Sequence, residues 1–273
     1  MSFLTALPSP LLSPFVKQYW AIEDCLPSDE RHIQRIVPNG LTELTFYFGN
    51  KPGSLDEKRH PADYALLSGH LRNFYDIEVT GKLSMFSVSF QPFGACCFFH
   101  IPASEFYNLT VPLYLVLKTQ GTELESRLNE KNSFNERIQV METFLLNRLK
   151  AGRKDWETNR IFHTLSLINS TKGMITVEAL ASAVCLGRKQ FERTFGSCIG
   201  ASPKQFLRTV RFQHSLYQKQ KDKELMLTEL AYRCGYFDQS HMIADYKIFS
   251  GKTPSQYFAG CEPYSDYFAV NLG

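Results

Sequence analysis

The sequence predicts an α+β, multidomain chain with a strand-rich front part and an all-helical back part. Three observations carry this. Residues 41–48 and 84–90 alternate apolar and polar positions between Gly and Pro breaks, the period of a half-buried strand. Near residue 122 the period changes to threes and fours, that of an amphipathic helix. Between residues 179 and 258 one pattern occurs twice. It runs Ala179-Leu180-Ala181, Leu186, Phe191, Phe195, Gly200, Pro203, Gln205, Phe206, then Glu229-Leu230-Ala231, Tyr236, Met242, Tyr246, Gly251, Pro254, Gln256, Tyr257. The offset is 50 through Tyr236 and 51 from Met242 on, so the second copy has one extra residue in its turn. Two copies are too few for a solenoid. Each reads as helix, tight turn, second helix and stop, the helix-turn-helix plan.

At 273 residues, one or two domains are expected. A hydrophobic content of 44% and an aromatic content of 14% supply real cores and argue against disorder. No apolar run approaches the ~20 residues of a membrane span. Met1-Ser2-Phe3-Leu4 lacks the basic start of a signal peptide. Seven cysteines, odd in number, irregularly spaced and without a CxxC, do not form a disulfide framework, so a reducing, cytoplasmic setting is expected. Residues 158–273 hold 14 Lys and Arg against 9 Asp and Glu, or +5, which leaves −2 for the front part. A neutral front with a basic back suits a sensor joined to an anion-binding module.

In chain order, residues 41–48 form a strand ended by Gly49-Asn50 and Pro52-Gly53. Residues 77–80 with Gly81-Lys82 read as a hairpin into a strand over 84–90, with Phe86, Val88 and Phe90 on one face. Short strands punctuated this way predict a barrel or a two-sheet sandwich. Residues 123–150, free of Gly and Pro, read as one helix. Its stripe of Ile138, Met141, Leu145 and Leu149 either packs on the strand domain or forms a dimer surface. The linker falls at 151–155, giving domains of 1–150 and 157–260. A helix over 157–169 follows. Thr176 is the N-cap of the next, Cys185-Leu186-Gly187 is a turn, and 188–197 is the second helix of the first copy. Ser202-Pro203 starts a long helix to residue 220 that joins the copies. Helix 227–234, a turn at Gly235, and a helix over 238–249 capped by Asp238 complete the second copy.

A helix pair of this size fits the DNA major groove through its second helix. With Phe191 and Phe195 inward, the first copy offers Arg188, Lys189, Gln190 and Arg193; the second offers Gln239, Ser240 and His241. Arg reads guanine in a bidentate manner and Gln reads adenine. Lys204, Lys247 and Lys252 suit phosphates. The bland alternative, that these charges only solvate a helix face, loses ground because the same geometry is built twice.

The run from Leu227 to Met242, with Gly235, Asp238-Gln239-Ser240-His241 and then Gly251-Lys252-Thr253-Pro254-Ser255-Gln256-Tyr257, resembles the signature of AraC/XylS-type transcription regulators. The first copy is similar through residues 177–181, 188–195 and 200–203, so the resemblance covers about 157–260. It implies two helix-turn-helix subdomains joined by a long helix, entering adjacent major grooves of double-stranded DNA. The base-facing positions it implies are Lys189, Gln190, Glu192 and Arg193, then Gln239, Ser240, His241 and Ala244. Ala244 stands where the family usually has Arg, and Met226 where a capping Ser or Thr is usual, so Arg193 is expected to carry more of the discrimination. Ser13-Pro14-Phe15-Val16, Tyr19-Trp20, residues 35–40 and Phe93-Gly94-Ala95 resemble, less strongly, the N-terminal domains of one branch of these regulators. That implies a cupin-like β-barrel with trailing helices that binds an effector or dimerises. Double-stranded DNA, a small-molecule effector, RNA polymerase and a second copy of the chain are thus the expected partners, with no membrane, cofactor or enzymatic activity.

Other residues point elsewhere only weakly. His32, His60, His70 and His100 are isolated, without the His-x-His pair of a cupin metal site. Cys96-Cys97 read as small buried side chains in a strand. Glu43 and Arg35 would suit a polar ligand inside a barrel, or simply a salt bridge or exposure to solvent. A cupin-type enzyme with a DNA-binding appendage, and a protein-docking module, are the competing readings.

Overall fold

The computed structural model describes residues 2–27, 30–54, 63–151 and 156–260. They form two compact units. The strand-rich unit holds the described residues through Gln34, Leu41–His70 and those from 76 to 151. The helical unit holds those from 156 onward together with Arg35–Gly40 and Leu71–Tyr75. The expected linker at 151–155 falls almost wholly outside the described residues.

Among the described residues the strands are β1 (Ser2–Ala6), β2 (Val16–Cys25), β3 (Arg31–Ile36), β4 (Glu43–Tyr47), β5 (Gly53–Ser54), β6 (Ala65–Ser68), β7 (Tyr75–Thr80), β8 (Lys82–Phe90) and β9 (Thr110–Pro112). Among the described residues they form a six-stranded sheet, β1-β2-β8-β4-β6-β9, and a three-stranded one, β3-β7-β5. Strand β8 is central, antiparallel to β2 with Tyr19 opposite Val88 and to β4 with Leu44 opposite Val88. Phe86, Val88 and Phe90 lie fully in the core as the alternation predicts. The polar face is buried too, and its hydroxyls are satisfied there. Ser87 shares a 2.9 Å hydrogen bond with Thr45, and Ser89 accepts from the Trp20 indole at 3.0 Å and donates to Glu43 at 2.9 Å.

The sequence placed 77–80 and 84–90 in one hairpin. The structure instead puts β7 and β8 in different sheets. Gly81, at φ +60°, turns the chain from one to the other, and the Asn50 side chain accepts from the Lys82 N–H at 3.0 Å. A short Gly turn is compatible with either outcome, and alternation does not say which edge a strand joins.

The unit closes with helices α1 (Gly94–Phe99), α2 (Leu113–Leu117), α3 (Thr119–Asn129) and α4 (Phe134–Ala151). Gly94 is needed where it stands: a Cβ would lie 1.8 Å from the Phe15 carbonyl oxygen, which accounts for Phe15 and Phe93-Gly94 appearing together. Cys96 and Cys97 sit half-buried on α1, not in a strand, and burial lifts the Cys97 thiol to about 12. The single helix expected over 123–150 is two helices. The missed signal is a capping box. Ser133 Oγ accepts from the Glu136 N–H at 3.3 Å, and the Glu136 carboxylate takes the Ser133 N–H at 3.1 Å, restarting a helix without Gly or Pro. Met141 and Leu145 are fully buried with Phe86 and Val88, and Ile138 and Leu149 pack on the same core. That stripe packs on the core of its own unit.

The helical unit runs α5 (Trp156–Ser170), α6 (Val177–Ala183), α7 (Arg188–Ile199), α8 (Pro203–Lys221), α9 (Leu227–Arg233), α10 (Gln239–Ser250) and α11 (Pro254–Ala259). The duplication is real in detail. Helices α6 and α9 have seven residues each, and α7 and α10 twelve each. The same turn bond recurs, Leu186 N–H to Ala181 and Tyr236 N–H to Ala231, both 3.0 Å. Gly200 and Gly251 end α7 and α10 in the left-handed region that favours glycine. Helix α8 serves both copies. Phe206 meets Phe195 edge-on at 5.6 Å, while Phe212 meets Tyr246 at 4.9 Å and Phe249 at 5.1 Å.

Two further segments pack on the second copy. Val37 joins its core cluster, Gln213 Nε2 donates to the Pro38 carbonyl at 2.6 Å, and Arg35 donates to the Ser250 carbonyl at 2.9 Å while lying 4.3 Å over the Phe74 ring. Arg35 and Glu43, suspected of one ligand site, thus serve different units: Glu43 is held by Ser89.

The copies differ in complementary ways. Thr176 caps α6 by accepting from the Ala179 N–H at 3.1 Å, but the αL position of its turn is Cys185, at φ +55°. The second turn has Gly235 there, at φ +74°, but Met226 gives α9 no side-chain cap. Met226→Thr is expected to stabilise the helical unit by about 1 kcal/mol. Urea denaturation followed by circular dichroism would read this as a raised midpoint at unchanged slope; an unmoved midpoint would mean that the α9 amides already find equivalent partners.

Candidate nucleic-acid interface

Helix α7 buries Phe191, Phe195 and Ile199. That spacing turns Lys189, Gln190 and Arg193 outward, and all three are exposed. Lys189 and Arg193 make no side-chain hydrogen bond or ion pair among the described residues, so their donors are available to a ligand. Arg188 differs. It pairs with Glu178 at 2.5 Å and with Glu192, one turn on, at 3.1 Å. The Glu192 hydrogen bond, with both carboxylate charges, raises the guanidinium pKa further. Glu192, half-exposed, is held by the same pair. Two of the five first-copy positions named from the sequence are therefore engaged with the protein itself.

Helix α10 buries Met242, Asp245, Tyr246 and Phe249. Ser240, His241, Ala244 and Lys247 face outward and are exposed. The Asp238 carboxylate caps the helix, taking the His241 N–H at 2.7 Å. The His241 ring stands edge-on to Tyr236 at 5.3 Å, which fixes its direction. Gln239 is half-buried and accepts from the Thr228 hydroxyl at 3.0 Å. Its amide N–H₂ remains to donate. Lys204, in the first turn of α8, is exposed, and Lys252, just past Gly251, is half-buried.

Two features of this face escaped the sequence reading. Asp245 is 1% exposed and receives both Nε and Nη2 of Arg208, at 3.0 and 2.6 Å. An acid at an inward position, between Met242 and Phe249 in the helical pattern, was the available signal. The second is Phe237, which is 85% exposed.

In the strand-rich unit, a cleft of about 440 Å³ opens beside α3 and α4, where Gln120, Arg127, Phe144 and Arg148 line it together with His100. Arg148 is half-buried and donates to Gln120 Oε1 at 2.7 Å. Among the other histidines, His70 is buried, His32 lies 3.4 Å from Gln34, and His60 is outside the described residues. Among the described residues no three His, Cys, Asp or Glu side chains gather as a metal site would require, and no helix is long and apolar enough to cross a membrane.

Residues 180–260 match a family profile described as "Helix-turn-helix domain", and residues 4–112 match one described as "Domain of unknown function (DUF6597)". An "Uncharacterized HTH-type transcriptional regulator" of Haemophilus influenzae is 32% identical over 81 residues, 30% of this chain. The match spans only 27% of that relative's length. Among solved structures, ToxT from Vibrio cholerae is similar at 11% identity and a TM-score of 0.46, over 94% of this chain and 97% of that one. The DNA-binding domain of AdpA, solved in complex with a target DNA, is similar at 24% identity and a TM-score of 0.33, over 36% of this chain and 87% of that one. The duplicated helices and the profile that spans them lead to one assignment: residues 180–260 form a helix-turn-helix domain.

Proposed function

We propose that the chain is a sequence-specific, double-stranded DNA-binding transcription regulator. The observation that carries this is the pair of matched helices, α7 and α10, each presenting outward donors from the same turn geometry. Lys189, Gln190 and Arg193 read one major groove and Gln239, Ser240 and His241 the next, about 34 Å along the duplex. Lys204, Lys247 and Lys252 hold phosphates and set register. Arg188 and Glu192, tied to each other, shape the edge of the first face. In this reading the strand-rich unit is the regulatory part, taking a small-molecule effector or a second copy of the chain, and RNA polymerase is the partner through which the bound regulator acts.

The test is binding of the full chain to duplexes selected from a random pool, measured against salt. Three or four phosphate contacts give a slope of log affinity on log salt of about −3 to −4. Arg193→Ala should then cost about 1–3 kcal/mol on the selected site and relax preference at one base pair. A salt-independent affinity would point to a protein-docking module, and an unchanged preference would remove Arg193 from the groove.

A further inference from the structure

The duplication leaves one residue without a counterpart. Helix α6 and its turn are offset from α9 by 50 residues, through the equivalent turn bonds of Leu186 and Tyr236. The N-caps of the next helices, Gly187 and Asp238, are offset by 51. The residue inserted between these two landmarks is Phe237. It stands immediately before the cap of α10, at the position where an apolar side chain commonly folds back onto the fourth helical residue as a staple. Here the fourth residue is Met242, which is fully buried, while Phe237 is 85% exposed. The staple is not made. Phe237 also takes no part in the aromatic packing of the second copy, which uses Phe212, Tyr236, Tyr246 and Tyr257. A large ring is therefore added to the turn, kept out of the core and held in water, and folding gains nothing from it.

Its place suggests its use. In a docked helix-turn-helix the N-terminal end of the second helix is the part that approaches the base edges. Phenylalanine has no donor for a phosphate and none for a base nitrogen or oxygen. The apolar group a major groove offers at that depth is the thymine 5-methyl, against which a Phe ring packs. We propose that Phe237 reads a thymine in the second half-site, giving this copy a contact that the first, which has no residue between Leu186 and its cap Gly187, does not have. The contact offsets the loss at Ala244, where no long donor is present. This rests on the DNA-binding reading above.

The probe is the selected duplex with each thymine replaced in turn by deoxyuridine, which removes only the methyl group. Full-length wild-type protein should lose about fourfold in affinity at one position of the second half-site, the value of one buried methyl. Phe237→Ala should bind the thymine duplex about tenfold more weakly and show no loss on deoxyuridine substitution at that position. Its unfolding midpoint should not move, because the ring is exposed. If wild type and variant respond alike at every position, the proposal is overturned. It is overturned equally if Phe237→Ala weakens all duplexes uniformly, which would mean packing on the sugar backbone. Failure of the wild type to bind any duplex would instead bring down the DNA-binding reading itself, and this proposal with it.

Discussion

Phe212→Ala is expected to cost the helical unit about 3–5 kcal/mol. The ring is fully buried near the middle of α8 and faces Tyr246, Phe249 and Tyr257 at 4.9, 5.1 and 6.3 Å. Those three rings come from two other helices, so no single neighbour can relax into the space. Since a domain's whole stability is on the order of 5–15 kcal/mol, the variant should populate a partly unfolded helical unit near physiological temperature. Two units imply two transitions, and the global midpoint is then a poor readout. Urea denaturation in a Trp156→Phe background, followed separately by far-ultraviolet dichroism of the helices and by emission from Trp20 in β2, would show which unit has moved. A loss below about 1 kcal/mol would mean that the second copy's core repacks freely.

Arg208→Ala should come next, at about 3–5 kcal/mol. Attraction alone does not set that figure. The larger part is the carboxylate left behind, because Asp245 is 1% exposed and loses both of its donors. Its other oxygen already lacks a hydrogen-bond partner, so nothing else stands ready to take the charge. Replacing both residues, Arg208→Met with Asp245→Leu, should recover most of the loss, since an apolar pair needs no compensation. The double-variant cycle separates the two contributions. If the double variant is as unstable as Arg208→Ala, the pair holds α10 by shape rather than by charge. Asp245 lies on the inner side of the helix whose outer side carries Ser240, His241 and Ala244, so DNA affinity should fall with stability in the single variant and return in the double.

These two residues also mark the limits of the sequence reading. Periodicity of three and four was enough to find α5 through α10 to within a few residues, because caps such as Thr176, Ser202 and Asp238 and stops such as Gly200 and Gly251 sit where backbone donors and acceptors would otherwise be left open; the short α11 was not read. The same logic failed at Ser133, whose capping box was read through, since a charged stretch without Gly or Pro looks continuous. Pairing of strands was beyond reach. Which sheet β7 joins depends on contacts with β3 and β5, far away in sequence, and alternation is silent on that. The site was legible as a list of outward positions but not as a network. Arg188 has the composition of a base reader, yet Glu178 and Glu192 hold it, and only coordinates could reveal that. Arg35–Gly40 was noticed through a resemblance. It packs within the helical unit, where Pro38 accepts from Gln213.

Helix α8 lends Phe206 to one copy and Phe212 to the other, so the two cores meet the same rod at different points. Substitutions on the outer faces of α7 and α10 should accordingly combine without interference. Each half of a target sequence can then drift under its own selection while the other stays fixed. A duplicated reader built this way is free to become asymmetric, and the single ring added beside α10 is one step along that path.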